Sequence, residues 1–155
     1  MMKKMIFACV ICAIFLVGCS SNNEANSDKM SPDQNVQLTL EQYMQAIANK
    51  DSVKLTELYG GSYQGFMNLS PETDPDDEQK LFNQYLELIP NISLKEILEQ
   101  TEVSKDEYKF VITFQHEDGT LFQTQESDII TDKFTYTVKR VDGRLKVMEV
   151  PPYQP

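Results

Sequence analysis

The amino-acid sequence predicts an α+β domain, with helices first and a mostly antiparallel sheet after them. Three observations carry this. Apolar residues between positions 40 and 89 recur at helical spacing. Those between 108 and 138 alternate with a period of two. Asp142-Gly143 separates two strand-like runs and is the dipeptide that a two-residue hairpin turn favours. A chain of 155 residues has room for one such domain, and no internal repeat divides it.

The first element stands apart from the domain. Lys3 and Lys4 precede an unbroken apolar run of 13 residues, Met5 to Val17. That is short for a bilayer span and right for a signal peptide. The run closes on Leu16-Val17-Gly18-Cys19, followed by the polar SSNNEANSD. This closing tetrad resembles the lipobox of bacterial lipoproteins. The resemblance implies cleavage after Gly18, with Leu16, Val17 and Gly18 forming the peptidase site. It also implies lipid on the Cys19 sulfur and a partner in the membrane, which places the protein on the extracytoplasmic face. One acyl chain binds a bilayer only marginally, and the diacylglyceryl group of a lipoprotein supplies two.

Residues 1–18 are thus read as a signal peptide, 19–36 as a disordered tether and 37–155 as the domain. The tether is polar and without apolar periodicity. Sixteen residues of such chain span about 20–24 Å.

Within the domain, Thr39 with Gln42 has the form of a capping box, and Leu40, Tyr43, Met44, Ile47 and Ala48 share one helical face. A pause is expected at Asn49-Lys50-Asp51. Asp51 or Ser52 then caps a second helix carrying Val53, Leu55, Leu58 and Tyr59, which Gly60-Gly61 stops. Residues 62–73 read as loop. Asp74-Pro75-Asp76-Asp77 supplies a cap, a proline and first-turn acids for a third helix. That helix carries Leu81, Phe82, Tyr85, Leu86 and Ile89 and ends at Pro90. Tyr108, Phe110, Ile112 and Phe114 form one strand stripe, and Phe134, Tyr136 and Val138 a second. His116-Glu117-Asp118-Gly119 marks a turn. Residues 93–100 are ambiguous: Ser93 with Glu96 forms a capping-box pattern, and Leu94, Ile97 and Leu98 have helical spacing over a short span.

The run AIANKDSVKLTELY (46–59), the aromatic strands and the closing VKRVDGRLKVMEV (138–150) are together similar to the nuclear transport factor 2-like superfamily. In that family two helices broken at a Lys/Gly-Asp step precede a curved sheet, and helices and sheet enclose a conical pocket. The resemblance makes 92–103 a strand. It implies a pocket lined by Tyr63, Tyr85, Phe110, Phe114 and Tyr136. The chain departs from the family at Leu145, where tryptophan is common; it has no tryptophan at all.

Composition narrows the chemistry. Removing residues 1–18 removes two of the 14 basic residues and none of the 24 acids, so the remaining 137 residues carry a formal charge of −12. Such a body does not suit nucleic acid, which is held by neutralising phosphates. Cys9 and Cys12 leave with the signal peptide and Cys19 carries lipid, so no thiol remains for a disulfide, a nucleophile or zinc. The acids Glu72, Asp74, Asp76, Asp77 and Glu78 mimic the opening of a calcium loop. Gln79 stands where that loop needs glycine and Tyr85 where it needs glutamate, so helix capping is the better reading. The single histidine, His116, lies at a strand end. No nucleophile elbow and no phosphate-binding loop occurs. Glu149 is the nearest approach to an isolated acid in an apolar strand. No catalytic set, metal site or cofactor is expected. The reading is a lipid-anchored, non-catalytic module that binds an envelope protein or a small ligand. The alternative is a small pocket enzyme, an isomerase or lyase on the same fold.

Overall fold

The computed structural model describes residues 32–153. The expected signal peptide, Cys19 and most of the tether lie outside them. Among the described residues, four helices are followed by six strands. The helices are α1 (Pro32–Ala48), α2 (Ser52–Leu58), α3 (Gln64–Leu69) and α4 (Glu78–Leu88). The strands are β1 (Ile92–Ser104), β2 (Glu107–His116), β3 (Thr124–Glu126), β4 (Ile129–Thr131), β5 (Phe134–Val141) and β6 (Arg144–Val147). The main sheet is antiparallel throughout, in the order β1-β2-β5-β6, and β3 with β4 forms a separate two-stranded ribbon. The α+β class is as expected.

α1 begins earlier than the sequence suggested. Pro32 opens it and Asp33 lies in its first turn, both favoured at a helix start. Residues 32–36, expected to close the tether, are therefore helical, and Val36 is buried. Thr39 is not a cap. It sits inside the helix, and its hydroxyl donates back to the Asn35 carbonyl at 2.9 Å. The buried face is Leu40, Tyr43, Met44, Ala46 and Ile47, which α1 lays across β1, β5 and β6.

The pause falls where expected. Lys50 adopts a left-handed conformation (φ 54°) and Asp51 caps α2, its carboxylate accepting from Lys54 N at 3.0 Å. Beyond α2 the chain does not simply stop at Gly60-Gly61. Tyr59 forms a parallel bridge with Val147, and Gly60 N donates to the Val147 carbonyl at 2.9 Å. That contact covers the free edge of β6. Glycine is required because a Cβ on Gly61 would collide with the Met148 carbonyl and the Tyr59 ring.

Two details of the helical half are corrected. Residues 62–73 contain α3, which buries Phe66. α4 is capped by Asp77, accepting from Lys80 N at 3.1 Å, not by Asp74. Asp74 instead accepts from Asp76 N at 3.0 Å and holds the turn before the helix.

β1 settles the ambiguous segment as a strand. Its pairing with β2 has a bulge between Leu94 and Glu96, and a second between Ile97 and Glu99. A bulge inserts one residue into the two-residue period. It lets residues three apart, Leu94 and Ile97, both pack on the core. The spacing that mimics a helix is here the spacing of a bulged, curved strand. The hairpin β5–β6 turns on Asp142 (φ 49°) and Gly143 (φ 79°), as expected.

Candidate functional site

Of the five residues expected to line a pocket, four belong to the hydrophobic core and Tyr63 packs against it; Phe114 and Tyr136 are in ring contact, 6.1 Å apart. Phe110 and Phe114 are fully buried, Tyr136 and Tyr85 nearly so, and Tyr63 is half-buried. Two aromatic clusters fill the space between helices and sheet. In the first, Tyr59, Tyr63, Phe66, Phe82 and Tyr85 meet mostly edge to face, with centroids 4.7 to 5.8 Å apart. In the second, Phe114 contacts Phe122, Phe134 and Tyr136 at 5.4 to 6.4 Å. Phe66, Phe82 and Phe122, which the expected pocket lining did not include, pack against these side chains.

β6 ends at Val147, and Met148 N still donates to the Thr137 carbonyl at 3.0 Å. Thr137 N then donates to the Glu149 carboxylate at 2.5 Å, where a continuing strand would have offered a carbonyl. This bond ends the ladder and turns the chain out of the sheet. Residues 149–153 follow as a strap outside regular secondary structure, with a bend at Glu149. Three tyrosine hydroxyls from three elements donate to its successive carbonyls. Tyr43 of α1 reaches Glu149 O at 2.9 Å, Tyr136 of β5 reaches Val150 O at 3.1 Å, and Tyr85 of α4 reaches Pro151 O at 2.7 Å. Pro151 and Pro152 are buried, and the Tyr153 ring packs 6.3 Å from that of Tyr85.

These phenols are held neutral. Burial pushes Tyr43, Tyr85 and Tyr136 well above the usual tyrosine range, with neighbouring tyrosines adding to it. Burial, followed by the Glu149 carboxylate, raises Tyr59 to about 12. Tyr63 is raised by burial and then by Glu78, and its hydroxyl has no partner at hydrogen-bonding geometry.

Glu149, the nearest approach to an isolated acid in an apolar strand, accepts from the Thr137 amide. His116 stands at the end of β2, as expected, with its ring against Phe122 at 5.4 Å. A shallow cleft of about 440 Å³ there is lined by Asn91, His116, Glu117, Asp118 and Thr120. In it the Thr120 hydroxyl and amide hold the Asp118 carboxyl below its usual range. A larger open cleft of about 570 Å³ runs along α4 between Asn83 and Asn91, with Lys50 in its wall. Lys50 Nζ is already engaged by the carbonyls of Leu86, Ile89 and Pro90 at 3.0, 2.5 and 3.3 Å, where it neutralises the negative end of α4. Among the described residues no three His, Cys, Asp or Glu side chains are grouped to hold a metal ion. Nor is any described helix long and apolar enough to cross a membrane.

The three-tyrosine strap was not foreseen. The sequence signal was Val150-Pro151-Pro152-Tyr153, a segment that cannot continue a strand because proline lacks an N–H.

No protein-family model matches the chain, and no curated protein is significantly similar to it. Two solved structures are similar in architecture. One is an NTF-2 like protein of unknown function from Shewanella oneidensis MR-1, at 13% identity and a TM-score of 0.43, over 76% of this chain and 95% of that one. The other is a candidate dehydratase of the NTF2-like family from Streptomyces avermitilis, at 11% identity and a TM-score of 0.44, over 76% of this chain and 93% of that one. The α+β class itself rests on the chain's own four helices and antiparallel sheet.

Proposed function

We propose that the protein is a lipid-anchored, extracytoplasmic binding module without catalytic activity, held to the membrane through Cys19. The anchor is supported by the sequence alone: two lysines, a 13-residue apolar run and Leu16-Val17-Gly18-Cys19. The observation that carries the binding role is that most candidate catalytic groups are engaged within the chain. An isomerase or lyase on this fold needs a tyrosine donor and an acid free to meet a substrate. Here Tyr43, Tyr85 and Tyr136 donate to the chain's own carbonyls and Glu149 accepts from Thr137, and Tyr63 beside Glu78 is the pair not engaged in this way. The acidic domain, if tethered to a surface, is suited to present itself to a protein partner.

Mass spectrometry of the N-terminal peptide from bacterial membranes tests the anchor. Cys19 at the N-terminus with diacylglyceryl on its sulfur is expected, and Cys19→Ser abolishes membrane retention. An intact Met1 on a bare Cys19 overturns it. Crosslinking in native membranes tests the binding role, with a reproducible protein partner expected.

A further inference from the structure

We propose that the outer edge of β4 takes an extended segment of a partner protein, flanked by lysine or arginine, as the third strand of the β3–β4 ribbon. The inference deepens the binding role proposed above by naming the surface and the kind of partner, and it rests on that role but not on the anchor.

Ile129 and Ile130 are the most exposed large apolar side chains among the described residues, at 70% and 61%. Neighbours on a strand point to opposite faces, so the ribbon carries exposed apolar surface on both. β4 pairs with β3 alone, through Thr124–Thr131, Gln125–Ile130 and Glu126–Ile129. Ser127 and Asp128 make a two-residue turn, so Glu126–Ile129 is the hydrogen-bonded pair that closes it. Ile130 therefore turns its N–H and C=O outward, and no backbone partner meets them among the described residues. A two-stranded ribbon is marginal by itself, and a third strand both satisfies this edge and covers its isoleucines. The contrast with β1, the free edge of the main sheet, is informative. β1 is irregular between Leu94 and Glu96, Ile97 and Glu99, and Glu102 and Ser104, and such bulges turn further pairing away. β4 has no bulge.

Charge selects the occupant. Glu126, Asp128 and Asp132 flank the isoleucines, against one cation, Lys133. Among the described residues none of these three acids forms an ion pair. A second copy is a poor fit. Antiparallel pairing of two β4 edges about Ile130 sets Asp128 of each chain opposite Asp132 of the other, and like charges so placed destabilise a ladder. An anionic bilayer repels the same acids. A strand with cations on either side of β-branched residues meets both the aspartates and the isoleucines.

The probe is the capped peptide Lys-Lys-Val-Thr-Val-Lys-Lys, titrated into the whole protein and followed by amide and methyl resonances. Shifts should centre on residues 124–132, and at saturation the Ile130 amide should exchange about tenfold more slowly. Raising salt from about 0.05 to 0.5 M should weaken binding about tenfold. The double variant Asp128→Lys, Asp132→Lys should lose about tenfold toward this peptide and gain as much toward Glu-Glu-Val-Thr-Val-Glu-Glu. Lys-Lys-Gly-Pro-Gly-Lys-Lys has the same charge but is a poor strand, and should bind about tenfold more weakly.

No binding at about 1 mM peptide, shifts centred elsewhere, or equal affinity for the Gly-Pro-Gly peptide would each overturn the proposal. So would a dimer that Ile130→Ser abolishes, or capture of the ribbon by vesicles of anionic lipid. Should the charge-reversed variant not fold, the double variant Ile129→Ser, Ile130→Ser takes its place and should bind the basic peptide about tenfold more weakly. Crosslinking in native membranes with this isoleucine variant separates the two claims. A partner captured equally well by variant and unaltered protein leaves the binding role standing and overturns the ribbon as its surface. No partner for either removes the binding role itself, on which the ribbon proposal rests.

Discussion

Raising the pH should unfold this protein through its tyrosines. Tyr43, Tyr59, Tyr85 and Tyr136 are buried, and burial lifts each phenol above its ordinary value near 10, Tyr59 to about 12. In the unfolded chain the same groups release their protons near about pH 10. Below that pH both states hold the protons, and the tyrosine contribution to stability is present in full. Above it only the unfolded chain loses them, so stability falls until the folded values are reached. Each group costs roughly 1.4 kcal/mol per pH unit in this window, and four together roughly 5.6. A domain of this size has a total stability of about 5–15 kcal/mol. Cooperative unfolding is therefore expected between about pH 11 and 12.5. Urea titrations followed by circular dichroism at a series of pH values give the slope of stability against pH. Tyr85→Phe should lower that slope by about a quarter, since one of the four groups is gone. Tyrosinate absorbance should rise together with the loss of structure. A fold that persists while most of its tyrosines ionise near about pH 10 would refute the reasoning.

Three substitutions check other parts of the structure. Gly61→Ala should cost several kcal/mol by thermal melting, on the order of 3, because its Cβ meets the Met148 carbonyl and the Tyr59 ring; Gly65→Ala, in α3 with open space around it, should be neutral or stabilising by about 0.5–1 kcal/mol. Lys50→Ala should destabilise by about 1–3 kcal/mol through loss of three carbonyl contacts at the end of α4, and Lys50→Gly by about 1 kcal/mol less, because glycine relieves the positive φ; equal losses would deny the backbone any share. Glu149→Ala should cost about 1.5–3 kcal/mol in denaturant titration by leaving Thr137 N without its charged acceptor, while Glu149→Gln keeps an oxygen there and should lose about half as much.

Much of the fold was legible because local physics and tertiary packing agree. The helical face of Leu40, Tyr43, Met44 and Ile47 is buried, Asp51 caps α2, and the stripe Tyr108, Phe110, Ile112 and Phe114 faces the core. Asp142 and Gly143 take the two positive φ values of their turn. What misled was phase and cap choice. Leu94 and Ile97 carry a three-residue spacing that a helix and a bulged strand share, and only the pairing partner distinguishes them. Asp74 and Asp77 are equally good caps, and α4 begins at the second because the first is used by its own turn. β3 and β4 show no alternation to read; Ser127 at φ 54° turns the ribbon, and Ile129 and Ile130 remain exposed on it.

The candidate site divides the same way. The residues were identifiable as aromatic, and their grouping was what the resemblance implied. Whether they surround a void depends on what else arrives there.

The sequence by itself determined the order of helices and strands, the absence of tryptophan, the acidic charge and the hairpin turn, because each follows from residues within a few positions of one another. Tertiary structure alone decided what the buried tyrosine hydroxyls pair with. That pairing needs Tyr43, Tyr85 and Tyr136 to meet carbonyls 106, 66 and 14 positions away, and no local propensity encodes such distances. It arises because burying a phenol or a carbonyl without a partner is costly, and the strap and the tyrosines satisfy each other.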